Sequence, residues 1–562
     1  MMFLLDKSLA ISAVIALSTA VVSSVAFLIL YVVVLWYKQA SLRNIPGPPA
    51  QSFAFGNLKQ LFDLQGWGFL DGIVQKYGSV IRTWGFFGDA RLYISDPKAL
   101  YSILIKEQEL FEETDMFIES NKLFFGMGLL STLGQHHRRQ RKLLNPVFSI
   151  SHMRYMIPTF FKITHQLDDI LKAKVSNGPR ELDVLEWMTR IALELIGQGG
   201  LGYSFETLDE QKSNRYAEAV KMLFPTAAKL ALPRLLLPYF SNIGPAAFRR
   251  WLLQLLPSKN IKLLIDATDI MDETSKTVFY HKKAALEKGD DAVVHQIGEG
   301  RDIMSVLLQS NLNADEDDRL PDSELLGQMT TLVFAAMDTT SSALSRIFLL
   351  LAMNPTVQDK LREELVLARK EAGGDLDYDT LHELPYLEAV CRETLRVYPP
   401  VTHIPRVARK DAILPLSTPF TGIDGNTISE IVVPKNTTVL IGIRAVNTST
   451  EIWGPDAAEW KPERWLSPLP ESVTNARIPG VYSNMLTFLG GGRACIGFKF
   501  SQMEMKIVMS LLIPSFYLSP SKTQVDWIMG PVAAPVVSGG TKPSMPLILS
   551  PVQPGVNGAA KA

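Results

Sequence analysis

Residues 488–497 read F-L-G-G-G-R-A-C-I-G and hold one of only two cysteines in 562 residues. Three consecutive glycines and an arginine crowd that sulfur. Glycine leaves no side chain in the way, so whatever meets Cys495 also approaches the backbone closely. The other cysteine, Cys391, lies in an amphipathic run and reads as a buried, inert thiol. Two cysteines exclude a disulfide framework and a zinc site built mainly from thiolates, and they place the soluble part in a reducing compartment. With 47% hydrophobic residues and net charge −1, the chain has material for a large core and no global attraction to nucleic acid or an anionic membrane.

Residues 8–36, SLAISAVIALSTAVVSSVAFLILYVVVLW, carry no charge. As a helix this run reaches roughly 40 Å, more than the ~30 Å hydrocarbon core requires. It also exceeds the apolar region of about 7–15 residues in a cleaved signal peptide. Asp6 and Lys7 cancel on one side, whereas Lys38 and Arg43 follow the other, so the bulk of the chain is expected in the cytoplasm. Trp36 and Tyr37 suit the aromatic belt at the membrane interface. N-I-P-G-P-P at 44–49 cannot continue a helix and separates the anchor from the remainder of the chain. In this orientation the sequons at Asn436 and Asn447 are expected to stay unmodified.

Residues 79–95 alternate apolar and polar around Gly88-Asp89, the pattern of a β-hairpin. From about 97 to 400 the periodicity is mostly helical. Strand-like pieces return at 428–444 and near 531–549, and the polar stretch 309–323 reads as a solvated loop. The longest apolar helix signal covers 322–353, with Asp322 or Ser323 as its cap and Asn354-Pro355 as its stop. A second membrane span would bring Asp338 and Arg346 into lipid at roughly 2.5–3.5 kcal/mol each, so a central helix in a soluble domain is expected. Its middle holds Asp338, Thr339, Thr340, Ser341 and Ser342 in succession. The hydroxyls can bond back to the preceding turn, but a carboxylate there needs a partner or a task.

A lone cysteine thiolate can hold one axial position of a haem iron and leave the opposite face open for oxygen. Glycines give a planar macrocycle room against the backbone, and Arg493 can pair with a propionate. Backbone N–H groups and the positive end of a helix starting near Ile496 would favour the deprotonated sulfur. The alternatives are a glycine-rich turn beside an ordinary cysteine, or a phosphate loop, which would need a G-K-[ST] that does not follow.

Phe488, Gly491, Arg493, Cys495 and Gly497 fill F-x-x-G-x-R-x-C-x-G, and the segment resembles the haem-binding signature of the cytochrome P450 superfamily. Three further motifs in family order extend the resemblance over residues 45–550. It implies a mainly α fold with smaller β-sheets, preceded by a single N-terminal transmembrane helix. The expected organisation is a lumenal 1–7, an anchor at 8–37, a basic, proline-rich hinge at 38–50, a catalytic domain at 51–550 and a flexible tail at 551–562.

The first further motif is Glu393-x-x-Arg396. On a helix the two share a face and form at least a surface pair worth about 0.2–0.5 kcal/mol. In the family, Arg464 of W-K-P-E-R-W completes a buried Glu-Arg-Arg network with them, and Arg406 contacts a haem propionate. Residues 335–340, A-A-M-D-T-T, resemble the oxygen-activation motif A-G-x-D-T-T, with Ala336 in place of the usual glycine. The resemblance gives Thr339 the task of holding a water and Asp338 that of relaying protons before the O–O bond breaks. Where the family has W-x-x-x-R, this chain has His137-x-x-x-Arg141, and both are expected as haem contacts. The basic residues Arg138, Arg139, Arg141 and Lys142 are either a solvated helix face or, as in the family, a docking face for an acidic electron donor.

The resemblance therefore implies a monooxygenase with haem b as cofactor, O2 and NADPH as co-substrates, and NADPH–cytochrome P450 reductase as donor, with cytochrome b5 as an optional second one. It implies a single-pass endoplasmic reticulum protein whose catalytic domain faces the cytoplasm. The expected pocket residues, Phe334, Ala335, Val401, Thr402, Ala533 and Val536, carry no charge, so the substrate is expected to be lipophilic. Residues 231–240, ALPRLLLPYF, either dip into the membrane or pack in the core. H-R-R-Q-R-K-L-L-N-P and P-P-V-x-x-I-P-R resemble microsomal fungal members, basidiomycete ones in particular, which makes a terpenoid-like substrate of secondary metabolism the first expectation. Fatty-acid or foreign-aromatic hydroxylation is the alternative. More distant are a haem-thiolate isomerase or dehydratase and a non-catalytic haem protein.

Overall fold

A computed structural model of the chain describes residues 2–212, 214–288, 300–540 and 542–552. Most of the expected 551–562 tail lies outside the described residues. The fold is mainly helical with small sheets, and it opens on one long apolar helix, as the sequence led us to expect.

That helix runs Met2–Lys38, so it already includes most of the stretch expected to precede it. Its Val14–Lys38 portion is long and apolar enough to cross a membrane, and its apolar surface is left exposed. Lys38 stands in its last turn, where a cation suits the negative end of the helix dipole. Gln39 ends it by docking. Its amide nitrogen donates to Asp89 Oδ1 at 2.9 Å, and its oxygen accepts from the Ala90 N–H at 2.7 Å. The 44–49 segment also packs closely, because the Arg82 N–H donates to the Pro46 carbonyl at 2.9 Å.

The chain divides into two compact units, residues 1–111 with 405–442, and residues 112–404 with 443–562. The first unit is built on a sheet ordered Val80–Trp84, Ala90–Ile94, Thr438–Gly442, His403–Ala408, Phe111–Glu112. The expected hairpin is its first pair, antiparallel with Val80 opposite Ile94 and Trp84 opposite Ala90. A second hairpin pairs Ala412–Thr421 with Thr427–Val433. Asn436 of the first sequon is exposed in this unit.

The second unit carries the helical core. Its axis is the helix Asp322–Met353, whose bounds match the expectation. The cap does not: Pro321 occupies the N-cap position, and the Asp322 carboxylate instead accepts from Lys283 Nζ at 2.7 Å. On it pack the helices Val184–Leu195, Pro385–Val397 and Phe498–Ser515, and Ile150–Lys174 packs on the first and last of these. Their apolar faces merge into one buried cluster that includes Phe160, Ile191, Leu344, Leu387 and Met503. Asn447 of the second sequon is fully buried here, bonded to Thr487 and Leu486, so of the two sequons Asn436 is the one open to modification.

Residues 231–256 behave differently from a core segment. Leu236, Tyr239, Phe240, Ile243, Trp251 and Leu255 are all exposed, Tyr239 to 77%. Core packing therefore does not account for the apolar run at 231–240.

Candidate active site

The Cys495 loop is shaped by its own backbone contacts. The Cys495 N–H donates to the Phe488 carbonyl at 2.9 Å, closing the turn. Gly491 adopts φ +71°, where an L side chain is strained. A Cβ on Gly490 would sit 1.8 Å from the Pro479 carbonyl oxygen, so protein backbone alone already demands that glycine. The following helix begins at Phe498 with Gly497 as its cap, two residues later than the sequence suggested. Burial pushes the Cys495 thiol up, and the Gly497 N–H and Arg141 act against it. The sulfur is thus set deep in the unit, yet protein atoms do not cover it.

A cluster of nitrogen donors surrounds this loop. Arg141 Nη1 donates to the Ala494 carbonyl at 2.7 Å. Arg493 forks onto Glu113, with Nε to Oε1 at 2.7 Å and Nη2 to Oε2 at 2.6 Å, and its Nη1 donates to the Thr132 carbonyl at 3.1 Å. His137 is buried beside them. Desolvation first, then the charges of Arg493 and Arg141, pull it down to about 3 against the opposing pull of Glu113, so the ring is neutral. Arg406 belongs to the first unit, buried, with Nη1 on the Pro405 carbonyl at 3.0 Å.

The central helix is buried on nearly every side, but Ala335, Ala336, Asp338 and Thr339 are half-open. These positions fall on one face, one turn apart. Burial pushes the Asp338 carboxyl up to about 6, moderated by the charge of Lys221 on the helix Arg215–Lys229. Thr339 Oγ1 donates back to the Ala335 carbonyl at 2.8 Å, and Ser341 to that of Asp338 at 3.2 Å, the ordinary fate of hydroxyls inside a helix. Thr340 reaches across at 3.3 Å to Ser501, six residues after the cysteine. Beside this contact lies Glu504, wholly buried, with neither carboxylate oxygen in a well-formed hydrogen bond. Burial drives its pKa far up, with the Thr340 hydroxyl opposing.

Glu393 and Arg396 are fully buried and joined twice, Nε to Oε2 at 2.8 Å and Nη2 to Oε1 at 2.7 Å. Arg464 Nε reaches Glu393 Oε1 at 3.3 Å, and the Trp465 indole N–H donates to Oε2 at 2.9 Å. The Lys461 N–H adds a further donor at 3.0 Å. Arg464 also holds Asp456 at 3.1 Å, and Arg396 donates to the carbonyls of Asn447 and Ala457. The arrangement is a closed polar knot, well beyond a surface pair.

The expected pocket residues divide. Ala335 and Val401 are half-open, whereas Phe334, Thr402, Ala533 and Val536 are buried. Phe334 stacks on Phe125 with centroids 4.6 Å apart. Ala533 is tied on both sides, its N–H to the Pro400 carbonyl at 2.8 Å and its carbonyl to Ser342 Oγ at 2.6 Å. Sequence reasoning missed Glu113, Lys221, Asp456, Trp465 and Glu504. Only Trp465 had a local signal, as the neighbour of Arg464 in its motif.

Residues 46–540 match the family described as Cytochrome P450. The chain belongs to that family. Cytochrome P450 monooxygenase 91 of Postia placenta is 52% identical over 517 residues, covering 92% of this chain and 95% of its own. Cytochrome P450 monooxygenase 212 of the same fungus is 50% identical, over 92% and 97%. The ganoderic acid synthetase of Ganoderma lucidum is 45% identical, over 90% and 93%. This cytochrome P450 is accordingly an oxidoreductase of the monooxygenase class, and its family implies a thiolate-ligated haem and the use of O2. The residues present fit that group. An uncovered sulfur in a desolvated setting suits an iron ligand, and His137, Arg141 and Arg493, with Glu113 as the acid among them, suit the carboxylates of a porphyrin.

Proposed function

We propose that this chain is a membrane-anchored haem-thiolate monooxygenase that hydroxylates an unactivated C–H bond of a lipophilic, terpenoid-like molecule. The carrying observation is the half-open polar face of the central helix, Asp338 and Thr339 flanked by Ala335 and Ala336, set between the stretches 327–334 and 340–345 that are buried throughout. One oxygen atom of O2 enters the substrate and the other leaves as water, with two electrons from NADPH through NADPH–cytochrome P450 reductase and cytochrome b5 as an optional second donor. Cys495 would hold haem b, with Phe488, Gly491, Gly497, Arg493, His137, Arg141 and Arg406 as its contacts, and the bound group would supply the reductive activation of O2. The protein residues manage protons and position. Asp338, neutral below about pH 6, takes protons from the Lys221 side and passes them inward. Thr339 turns its hydroxyl from the Ala335 carbonyl to hold a water at the reaction face. Glu504 beside Thr340, its pKa held high by burial, is a second carboxyl group near that face. Glu393, Arg396 and Arg464 hold the scaffold.

A terpenoid-like substrate draws support from the similarity to the relative named ganoderic acid synthetase. The exposed apolar stretch 231–256 supports access from a lipid phase. In this reading 8–37 spans the endoplasmic reticulum membrane, residues 51–550 act as one catalytic assembly on the cytoplasmic side, and the basic residues after Gln135 meet the reductase.

Reconstitution with a fungal reductase, NADPH and isotopically labelled dioxygen tests the reading on a panel of terpenoids, fatty acids and aromatics. One labelled oxygen atom per hydroxylated product is expected, and products bearing only solvent oxygen or formed without NADPH would refute it. In the same assay Thr339→Ala is expected to consume NADPH at a comparable rate while losing about tenfold or more of its product yield to peroxide. Full coupling in that variant would remove Thr339 from the mechanism.

A further inference from the structure

Arg346 stands on the central helix seven residues after Thr339, which returns it to the same face about 10 Å further along the axis. Its guanidinium carbon lies 3.4 Å from the ring centroid of Trp527 and 4.3 Å from that of Tyr398. Burial, with a smaller contribution from Arg444, lowers it to about 9 while Tyr398 opposes, so it remains a cation at neutral pH. No described residue gives the guanidinium a hydrogen-bond acceptor or an ion-pair partner. Nε is covered and unbonded, whereas the residue as a whole is half-open. A desolvated cation so placed is a standing demand for a planar anion.

The surroundings say where that anion comes from. Trp527 pairs with Pro535 in the Val525–Ile528 and Ala534–Val537 hairpin. Ser342, one turn before Arg346, holds the Ala533 carbonyl, and the Arg444 N–H donates to the Thr402 carbonyl at 3.0 Å. The segments that frame Arg346 are therefore those carrying Val401, Thr402, Ala533 and Val536, and apart from the Arg444 cation the frame is aromatic and apolar. That suits the carboxyl end of an otherwise hydrophobic molecule better than a heavily hydrated phosphate.

We propose that Arg346 anchors the carboxylate of an apolar acid, whose hydrocarbon body runs along the central helix toward Thr339. This deepens, and rests on, the reading of the chain as a monooxygenase of lipophilic substrates. The oxidised carbon then lies on the order of 10 Å from the carboxyl group, two helical turns away.

The test is calorimetric titration of the haem-loaded, detergent-solubilised full chain at neutral pH with two pairs of probes. These are dodecanoic acid with its methyl ester, and dehydroabietic acid with its methyl ester. For at least one pair the parent protein is expected to bind the acid about tenfold or more tighter than the ester. In Arg346→Gln that preference disappears while the ester's affinity stays within about twofold, and Arg346→Lys recovers part of the preference. No acid preference in either pair, or one that survives Arg346→Gln, overturns the proposal. If Arg346→Gln does not fold, the parent compared with dodecanamide decides, an amide bound as tightly as the acid being the contrary result. Binding is read without turnover. Acid preference in a protein that oxidises nothing counts against the monooxygenase reading alone, and normal oxidation without acid preference counts against the anchor alone.

Discussion

Glu393→Ala is expected to abolish the accumulation of folded protein. The carboxylate sits at 0% exposure and receives both prongs of Arg396, the Nε of Arg464, the Trp465 indole and the Lys461 N–H. Alanine removes every one of those acceptors and leaves Arg396, itself fully buried, without its counter-ion. Breaking a buried pair by deleting one partner costs about 3–5 kcal/mol. A domain's whole margin is only about 5–15 kcal/mol, so that loss removes a large part of it. Glu393→Gln keeps an oxygen acceptor and is expected to fall between the two. Soluble yield and thermal unfolding followed by circular dichroism give the measurement. A Glu393→Ala protein that melts with the parent would show that the knot is incidental to folding.

Cys495→Ala is expected to have the opposite profile, a folded chain with no activity. The Cys495 N–H, and not its side chain, closes the loop onto Phe488, and Gly490 and Gly491 keep their conformations for backbone reasons. Alanine therefore retains the turn while removing a sulfur that burial makes unfavourable to ionise on its own. Unfolding close to the parent's, haem uptake well below one per chain, and no NADPH-dependent product are the expected results. Product formation by this variant would exclude Cys495 as the proximal ligand.

What was legible in the sequence was local. The hairpin at 79–95 rests on alternation over a few residues, and the central helix on an apolar run that opens near Asp322 and stops at Asn354-Pro355. Glu393 and Arg396 are three residues apart on one helix, so their pairing follows from helical periodicity, whereas Arg464 was reached only through family resemblance. Glu113, by contrast, meets Arg493 across 380 residues, and no periodicity announces such a contact. Lys221 acts on Asp338 from another helix, and Glu504 looks in sequence like any polar residue of an amphipathic stretch until packing buries it. The cap at Asp322 was misread because Lys283 offered its carboxylate a charged partner. Backbone crowding and a left-handed turn account for the glycines at 490 and 491 without any bound group, a reason the sequence reading did not give. The division into two units, with 405–442 returning to the N-terminal part, is a product of tertiary pairing and left no mark in composition.

The central claim is that the sulfur of residue 495 is the proximal donor to a haem iron. The most direct measurement is the absorption spectrum of the reduced carbonyl complex of the purified full chain, read beside that of Cys495→His. The parent is expected to show the thiolate-type band and the histidine variant to lose it. A parent spectrum of the nitrogen-ligated type, or a thiolate band that persists in Cys495→His, would contradict the account.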